Sequence, residues 1–413
     1  MVSTTLQPSH ARAATENQTL AVVSAAHFVS HFYILLIPVL LPLLKTQLGV
    51  GFLELGLALT IFNVVSGLTQ APMGFLVDRI GPRLLLIAGL VLGGLSFALL
   101  AVSTTYTMLL VVAFLAGLAN CVYHPADYAI LSEAMQEGRM GRAFSIHTFA
   151  GFLGGAAAPP VLLSVAAYAG LSASLLVAGL IGLAAAAALL IMPRPPHRNA
   201  GKTFKSTAGG TRRAIVSVLN PAILALTVFF TLLSLSLSAM QSFSVVALMA
   251  SQGMSLATAN VALTAFLIGA SSGVLAGGYL ADRTSRHGDV AAVGFGLSAL
   301  LALALAALPL PALVIVAAMG LAGLLTGMIM PSRDMLVRRA APPGAAGSAF
   351  GIVSTGFNIG GIIGPMLFGW IMDHQLPQWV FGAAVIFMSV TCAFGFIADR
   401  RTAGGLVEST PHT

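Results

Sequence analysis

The 413-residue sequence predicts an all-α integral membrane protein with twelve transmembrane helices in two pseudo-symmetric six-helix bundles. Three observations carry this prediction. The chain is 58% hydrophobic and only 8% charged, with a mean hydropathy of +0.97, whereas soluble domains carry about 25% charged residues. The apolar runs are long and unbroken, which selects helices over a barrel in lipid. A short phrase is also written twice: Gly74-Phe75-Leu76-Val77-Asp78-Arg79 returns as Gly278-Tyr279-Leu280-Ala281-Asp282-Arg283, an offset of 204.

A second echo supports the first. Gly141-Arg142-Ala143-Phe144 returns as Gly347-Ser348-Ala349-Phe350, and Pro125 returns as Pro331, both at an offset of 206. In a membrane chain, two copies of one unit point to bundles that rock around a central site, and therefore to transport.

Measured against a span of about 20 residues, the apolar stretches number twelve. They run roughly 20–44, 53–77, 83–102, 106–132, 142–168, 171–192, 214–248, 256–281, 289–307, 310–338, 347–372 and 377–399. The expected organisation is a disordered cytoplasmic tail (1–19), an N-terminal six-helix bundle (20–192), a basic cytoplasmic linker (193–213), a C-terminal six-helix bundle (214–399) and a cytoplasmic tail (400–413). The linker holds Pro193, Pro195, Pro196 and six Lys or Arg residues. With both termini inside, nearly every basic residue outside the spans faces the cytoplasm and only Lys45 faces out, a positive-inside pattern. This placement accounts for the net charge of +7, so nucleic-acid binding is not expected. Residues 1–19 lack the basic start and cleavage site of a signal peptide. Cys121 and Cys392 fall inside spans of different halves and read as small core residues.

Gly74, Asp78, Arg79, Gly81 and Arg83, set between spans 2 and 3 of a twelve-span chain, resemble the signature of the major facilitator superfamily. The resemblance covers the whole chain. Pro82 stands where the family usually has a second basic residue, and the second copy keeps Gly278, Asp282, Arg283 and Arg286 but has Ser285 in place of glycine. The resemblance implies a latch on the cytoplasmic gate. Physically, glycine at the helix end permits close approach, and the aspartate can cap a helix or pair with arginine. The plain alternative is a loop that merely obeys the charge bias.

Four strings are similar to the fosmidomycin-resistance branch of that superfamily: His27-Phe28-Val29-Ser30-His31, Leu59-Thr60-Ile61-Phe62-Asn63, Tyr123-His124-Pro125-Ala126-Asp127 and Gly141-Arg142-Ala143-Phe144-Ser145. The acidic residue sits one place later than in that branch. The branch implies proton-coupled efflux, an antiporter exporting small polar or amphiphilic compounds by alternating access from a bacterial inner membrane.

Ionisable side chains inside spans cost about 2.5–3.5 kcal/mol on insertion scales, so each needs a reason. They cluster in the first half. His27 and His31 share a face of span 1 with Ser24. His124 and Asp127 flank Pro125 on span 4, where the missing backbone donor should kink the helix, and His147 lies in span 5. By resemblance, these spans line the central cavity. Histidine exchanges protons near neutral pH, so the set can load and release a proton. The structural alternatives are a His124–Asp127 pair bracing the kink and histidines that only donate between helices.

The repeat fails at these positions. The 204 and 206 offsets place Thr231, Leu235, Met330, Arg333 and Val353 opposite His27, His31, His124, Asp127 and His147. The second half offers Gln241, Ser234, Ser236 and Ser238 on span 7, Arg333 and Asp334 on span 10, and Asn358 on span 11. This suggests a first bundle handling protons and a second contributing substrate contacts. Arg333 can hold an anionic substrate, pair with Asp334 or Asp127, or snorkel to the interface. The stretch Met108 to Cys121 is free of charge, so the arginine that proton-driven relatives often carry in span 4 is absent. Gly151, Gly154, Gly155, Pro159 and Pro160 in span 5 partly resemble an antiporter pattern, echoed by Gly356, Gly360, Gly361, Gly364 and Pro365.

No nucleotide loop, nucleophile motif or metal-ligand spacing is present. No enzyme activity, cofactor or metal site is expected, although a metal substrate stays open. The expected partners are a small-molecule substrate, protons and the lipid bilayer, with the protein a monomer. The alternatives to export are an uptake symporter for a small organic acid anchored by Arg333 and, third, a non-transporting receptor.

Overall fold

The computed structural model describes residues 9–192, 221–284, 286–341 and 346–407, and the regular elements among these are all helical. The expected linker at 193–213 lies outside the described residues. In chain order the helices are α1 (Ser9–Leu48), α2 (Phe52–Ile80), α3 (Pro82–Val102), α4 (Tyr106–Ala134), α5 (Glu137–Ile191) and α6 (Pro221–Leu237). A π-helical segment, Ser238–Phe243, joins α6 to α7 (Ser244–Gln252). Then follow α8 (Leu256–Arg283), α9 (His287–Ala307), α10 (Ala312–Ala340), α11 (Ala346–Asp373) and α12 (Gln378–Val407).

Among the described residues, eleven continuous stretches are long and apolar enough to cross a membrane. One of them, Arg142–Ile191, has 50 residues. At 1.5 Å per residue it would extend about 75 Å, against a hydrocarbon core of about 30 Å. It must hold two spans, and Gly170 divides it with φ 85° and ψ 170°. A side chain rarely adopts that φ, so glycine makes the break. The twelve expected spans follow, with the fifth and sixth meeting between the expected ends at 168 and 171.

Leu68, Val102, Tyr168, Ile191 and Leu313 are among the large apolar side chains that are strongly exposed. Against lipid this surface carries no hydration penalty.

Two compact units emerge from the packing. The first contains the described residues of Met1–Ile34, Val64–Ala158 and Ser164–Lys205. Here α3 packs on α4, and Gly94 of α3 meets Gly179 of α5 so closely that a Cβ on either would contact the other's carbonyl oxygen. Arg83 donates to the carbonyls of Leu189 (2.7 Å), Leu190 (3.2 Å) and Met192, satisfying the last turn of α5. The helix α1 begins well before the expected start at 20, at Ser9. Glu16 is buried there and accepts from Arg139 at 2.7 Å, while Asn17 Oδ1 accepts from the same guanidinium at 2.5 Å. These partners hold a polar stretch in helical form.

The second unit contains the described residues of Leu35–Asn63, Pro159–Leu163 and Ser206–Thr413. Helix α8 lies against α10 along a glycine seam. A Cβ at Gly273 would collide with the Leu324 carbonyl, and one at Gly323 with that of Phe266. Such close approach replaces the hydrophobic drive that lipid cannot supply. Within the same unit, Asp373 at the end of α11 accepts from the backbone N–H groups of Phe52 (2.8 Å) and Leu53 (2.7 Å) at the start of α2. Lys45 Nζ lies 3.6 Å from the same carboxylate and 4.0 Å from the Phe52 ring centroid. Asp373 thus serves as a helix cap borrowed from elsewhere in the chain. Asp373→Ala is expected to cost about 1–2 kcal/mol, read as a lower midpoint of thermal unfolding in detergent, with Asp373→Asn falling between the two.

Candidate functional site

Five titratable side chains, far apart in sequence, meet inside the first unit. Helix α1 brings His27 and His31, α4 brings His124 and Asp127, and α5 brings His147. Helical spacing aligns each pair on one face, at i and i+4 on α1 and at i and i+3 on α4. Two glycines of α5 make the meeting possible. A Cβ at Gly151 would lie 2.6 Å from the His27 ring and 2.9 Å from that of His31, and one at Gly154 would collide with the Phe28 carbonyl. The glycines therefore let α5 seat directly on the histidine-bearing turn of α1.

Asp127 is the centre. Its Oδ2 lies 3.5 Å from His27 Nδ1 and 3.6 Å from His147 Nε2. These separations bring opposite charge together but exceed the hydrogen-bond range of about 2.7–3.2 Å. The rings of His27 and His147 stack at 3.9 Å between centroids, and His31 and His124 approach His27 edge-on at 4.7 and 5.2 Å. Tyr128 stacks on His124 at 6.2 Å, and Phe152 lies 6.1 Å from His31.

Burial is nearly complete at the core of the group. Asp127 and His147 are 0% exposed and His27 is 4% exposed. Neither Asp127 oxygen, neither His147 ring nitrogen, nor His27 Nδ1 has a hydrogen-bond partner in the protein. Buried polar atoms without partners are uncommon, and a buried carboxylate is costly unless a proton or cation joins it. The arrangement is chemically suited to taking up a positive charge and giving it back.

The bracing pair considered between His124 and Asp127 is not the contact the carboxylate makes. Its ion-pair partners are His27 and His147, on other helices. One turn before His124, Asn120 Nδ2 donates to Ser66 Oγ of α2 at 2.8 Å, fixing this part of α4. Sequence spacing could not reveal this bond.

The second-half candidates occupy the second unit. Gln241 lies on the π-helical segment, which the apolar pattern did not signal although such segments often mark functional positions. Ser234 Oγ donates to the Phe357 carbonyl at 2.7 Å, and Ser236 Oγ to that of Leu232 at 2.9 Å. Arg333 makes one of the pairings left open for it: its Nε donates to Asp334 Oδ1 at 3.0 Å, and its guanidinium lies over Phe230 at 4.6 Å. Asn358 is exposed on α11. Asn63 of α2 donates to the Gly361 carbonyl at 2.8 Å.

The duplicated phrase lies at two helix ends. Asp78 and Arg79 are exposed, and Gly81 supports φ 104° at the start of α3. A Cβ at Gly74 or Gly278 would meet nothing within 4 Å, so the close approach expected at these glycines is not a contact of this structure. Arg283 lies over the Tyr279 ring at 3.9 Å. The side chain of Asp282 lies outside what is described.

The Major Facilitator Superfamily matches residues 23–246 and 228–412, the two halves in turn. The fosmidomycin resistance protein of Escherichia coli (strain K12) is 25% identical over 405 residues, covering 95% of this chain and 96% of that protein. The membrane sensor protein UhpC of Salmonella typhimurium is 24% identical over 350 residues, covering 79% of this chain and 77% of its own. Among solved structures, a bacterial homologue of the human lysosomal transporter Spinster superposes with a TM-score of 0.78 at 14% identity, covering 94% of this chain and 97% of that one. The protein is a multi-pass membrane transporter rather than an enzyme, and it belongs to the Major Facilitator Superfamily.

Proposed function

We propose that this protein is a proton-coupled exporter of a small polar or amphiphilic compound, acting by alternating access in a bacterial inner membrane with both termini in the cytoplasm. The observation that carries the reading is the buried Asp127 ringed by His27, His147, His31 and His124. Imidazole is the side chain whose ordinary pKa lies near physiological pH, and the carboxylate buried among these rings has no hydrogen-bond partner in the protein. A proton entering from outside joins the cluster, a conformational change exposes it to the cytoplasm, and its departure leaves the cluster ready for the next. Substrate moves outward in the opposite half of the cycle.

The moving parts in this reading are the two bundles, 20–192 and 214–399, joined by the basic linker. Gly74, Asp78, Arg79, Gly81 and Arg83 form the cytoplasmic latch, with Gly278, Asp282 and Arg283 as its counterpart. Gln241, Arg333 and Asn358 supply polar contacts to substrate. Likeness to a protein named for fosmidomycin resistance supports the outward direction. An uptake symporter anchored on Arg333 draws support from the likeness to transporters of other names, among them a probable L-galactonate transporter of Escherichia coli (strain K12), 26% identical over 140 residues. It is the weaker reading because the Arg333 guanidinium already has Asp334 and Phe230 as partners.

Inside-out vesicles with an acidic interior test the direction. Export predicts that a compound from a panel of small polar and amphiphilic candidates accumulates as protons leave the lumen. Uptake symport predicts no accumulation across that panel under the same gradient.

A further inference from the structure

We propose that His27, Asp127 and His147 form a binding site for a divalent transition-metal ion such as Zn²⁺ or Co²⁺. The site shares side chains with the proposed proton site, but it rests on their geometry and not on proton coupling. Each residue offers one ligand atom, and the three atoms lie within 4.8 Å of one another. A tetrahedral ion with bonds of about 2.0–2.1 Å separates its ligand atoms by roughly 3.3–3.4 Å. Asp127 Oδ2 lies 3.5 Å from His27 Nδ1 and 3.6 Å from His147 Nε2, so two edges of such a polyhedron are nearly in place.

A second observation points to a ligand. The ligand atoms are not engaged with one another by hydrogen bonds, and the protein provides them no other partner. A cation at their centroid would satisfy one atom from each residue at once and offset the charge of a carboxylate buried at 0% exposure. The rings of His31 and His124 lie 4.7 and 5.2 Å from that of His27 and wall the site on that side, while the three ligand atoms come from His27, Asp127 and His147. Two nitrogens and one carboxylate oxygen suit zinc, cobalt or nickel. Magnesium and calcium prefer shells of oxygen alone. Sequence spacing did not suggest a metal site because the three ligands come from three different helices.

Co²⁺ titration of the purified full-length protein in detergent, at one fixed pH, tests the proposal. The expected result is one Co²⁺ per chain with the intense visible absorption of a tetrahedral site, abolished by added Zn²⁺. Asp127→Asn and His147→Gln should each weaken binding by about 100-fold or more, whereas His374→Gln, on an exposed residue outside the cluster, should not. A wild-type spectrum identical to that of a His27→Gln, Asp127→Asn, His147→Gln triple variant would overturn the site. If the variants do not fold, X-ray absorption of the Zn²⁺-loaded wild type decides. A shell with two imidazole nitrogens and an oxygen supports the site, and one of oxygen alone overturns it. Metal binding without proton-driven transport would sink the proton reading alone, and proton-driven transport without metal binding would sink the metal site alone.

Discussion

Asp127→Asn is expected to abolish proton-driven accumulation while leaving the protein folded and in the membrane. The substitution keeps the shape of the side chain and removes the charge that His27 and His147 face at 3.5 and 3.6 Å. Breaking a buried pair costs about 3–5 kcal/mol of interaction, which corresponds to a loss of roughly 10²–10⁴-fold in a coupled step. Downhill exchange of substrate, which needs no net proton movement, should survive better than gradient-driven accumulation. Measuring both in the same vesicles separates lost coupling from lost binding. Equal loss of the two would assign Asp127 to substrate contact or to structure.

Gly154→Val is expected to destabilise the first unit by more than about 3 kcal/mol, the upper range for overpacked cores. A Cβ there collides with the Phe28 carbonyl, a backbone atom that cannot swing aside, and the preceding turn of α5 carries Gly151 against the His27 and His31 rings. The variant should therefore lose stability and displace the histidines together. Gly74→Ala supplies the contrast. Its Cβ meets nothing within 4 Å, and replacing a helical glycine with alanine should stabilise by up to about 1 kcal/mol. Thermal unfolding in detergent reads both. A Gly154→Val midpoint equal to that of the wild type would show that α5 can move away from α1 without cost.

Much of the architecture was legible because lipid imposes a coarse rule: the backbone must be helical and each span long and apolar. The break near Gly170 could be anticipated from span length alone. The early start of α1 could not, since it depends on Glu16 and Asn17 finding Arg139 at the start of α5. Nor could the π-helical segment at Ser238–Phe243, which leaves the apolar pattern intact.

The candidate site shows the same division. The cost of placing a charge in a span singled out His27, His31, His124, Asp127 and His147 one residue at a time. Which of them face one another depends on helix packing. Sequence suggested His124 as the partner of Asp127 because the two are three residues apart, yet the carboxylate lies between His27 and His147. The small residues of α5 read as a sign of movement, and in the structure they make room for imidazoles. Asp373 drew no notice because a single carboxylate at a span end is unremarkable until its partners, Phe52 and Leu53, are brought to it.

The central claim is that the histidine–aspartate cluster exchanges the protons that drive transport. Proton-coupled flux measured in vesicles for His27→Gln, His31→Gln, His124→Gln and His147→Gln in turn tests it most directly. The account predicts that coupling falls most for His27 and His147, which face Asp127, and less for His31 and His124. Undiminished coupling in all four variants would contradict it.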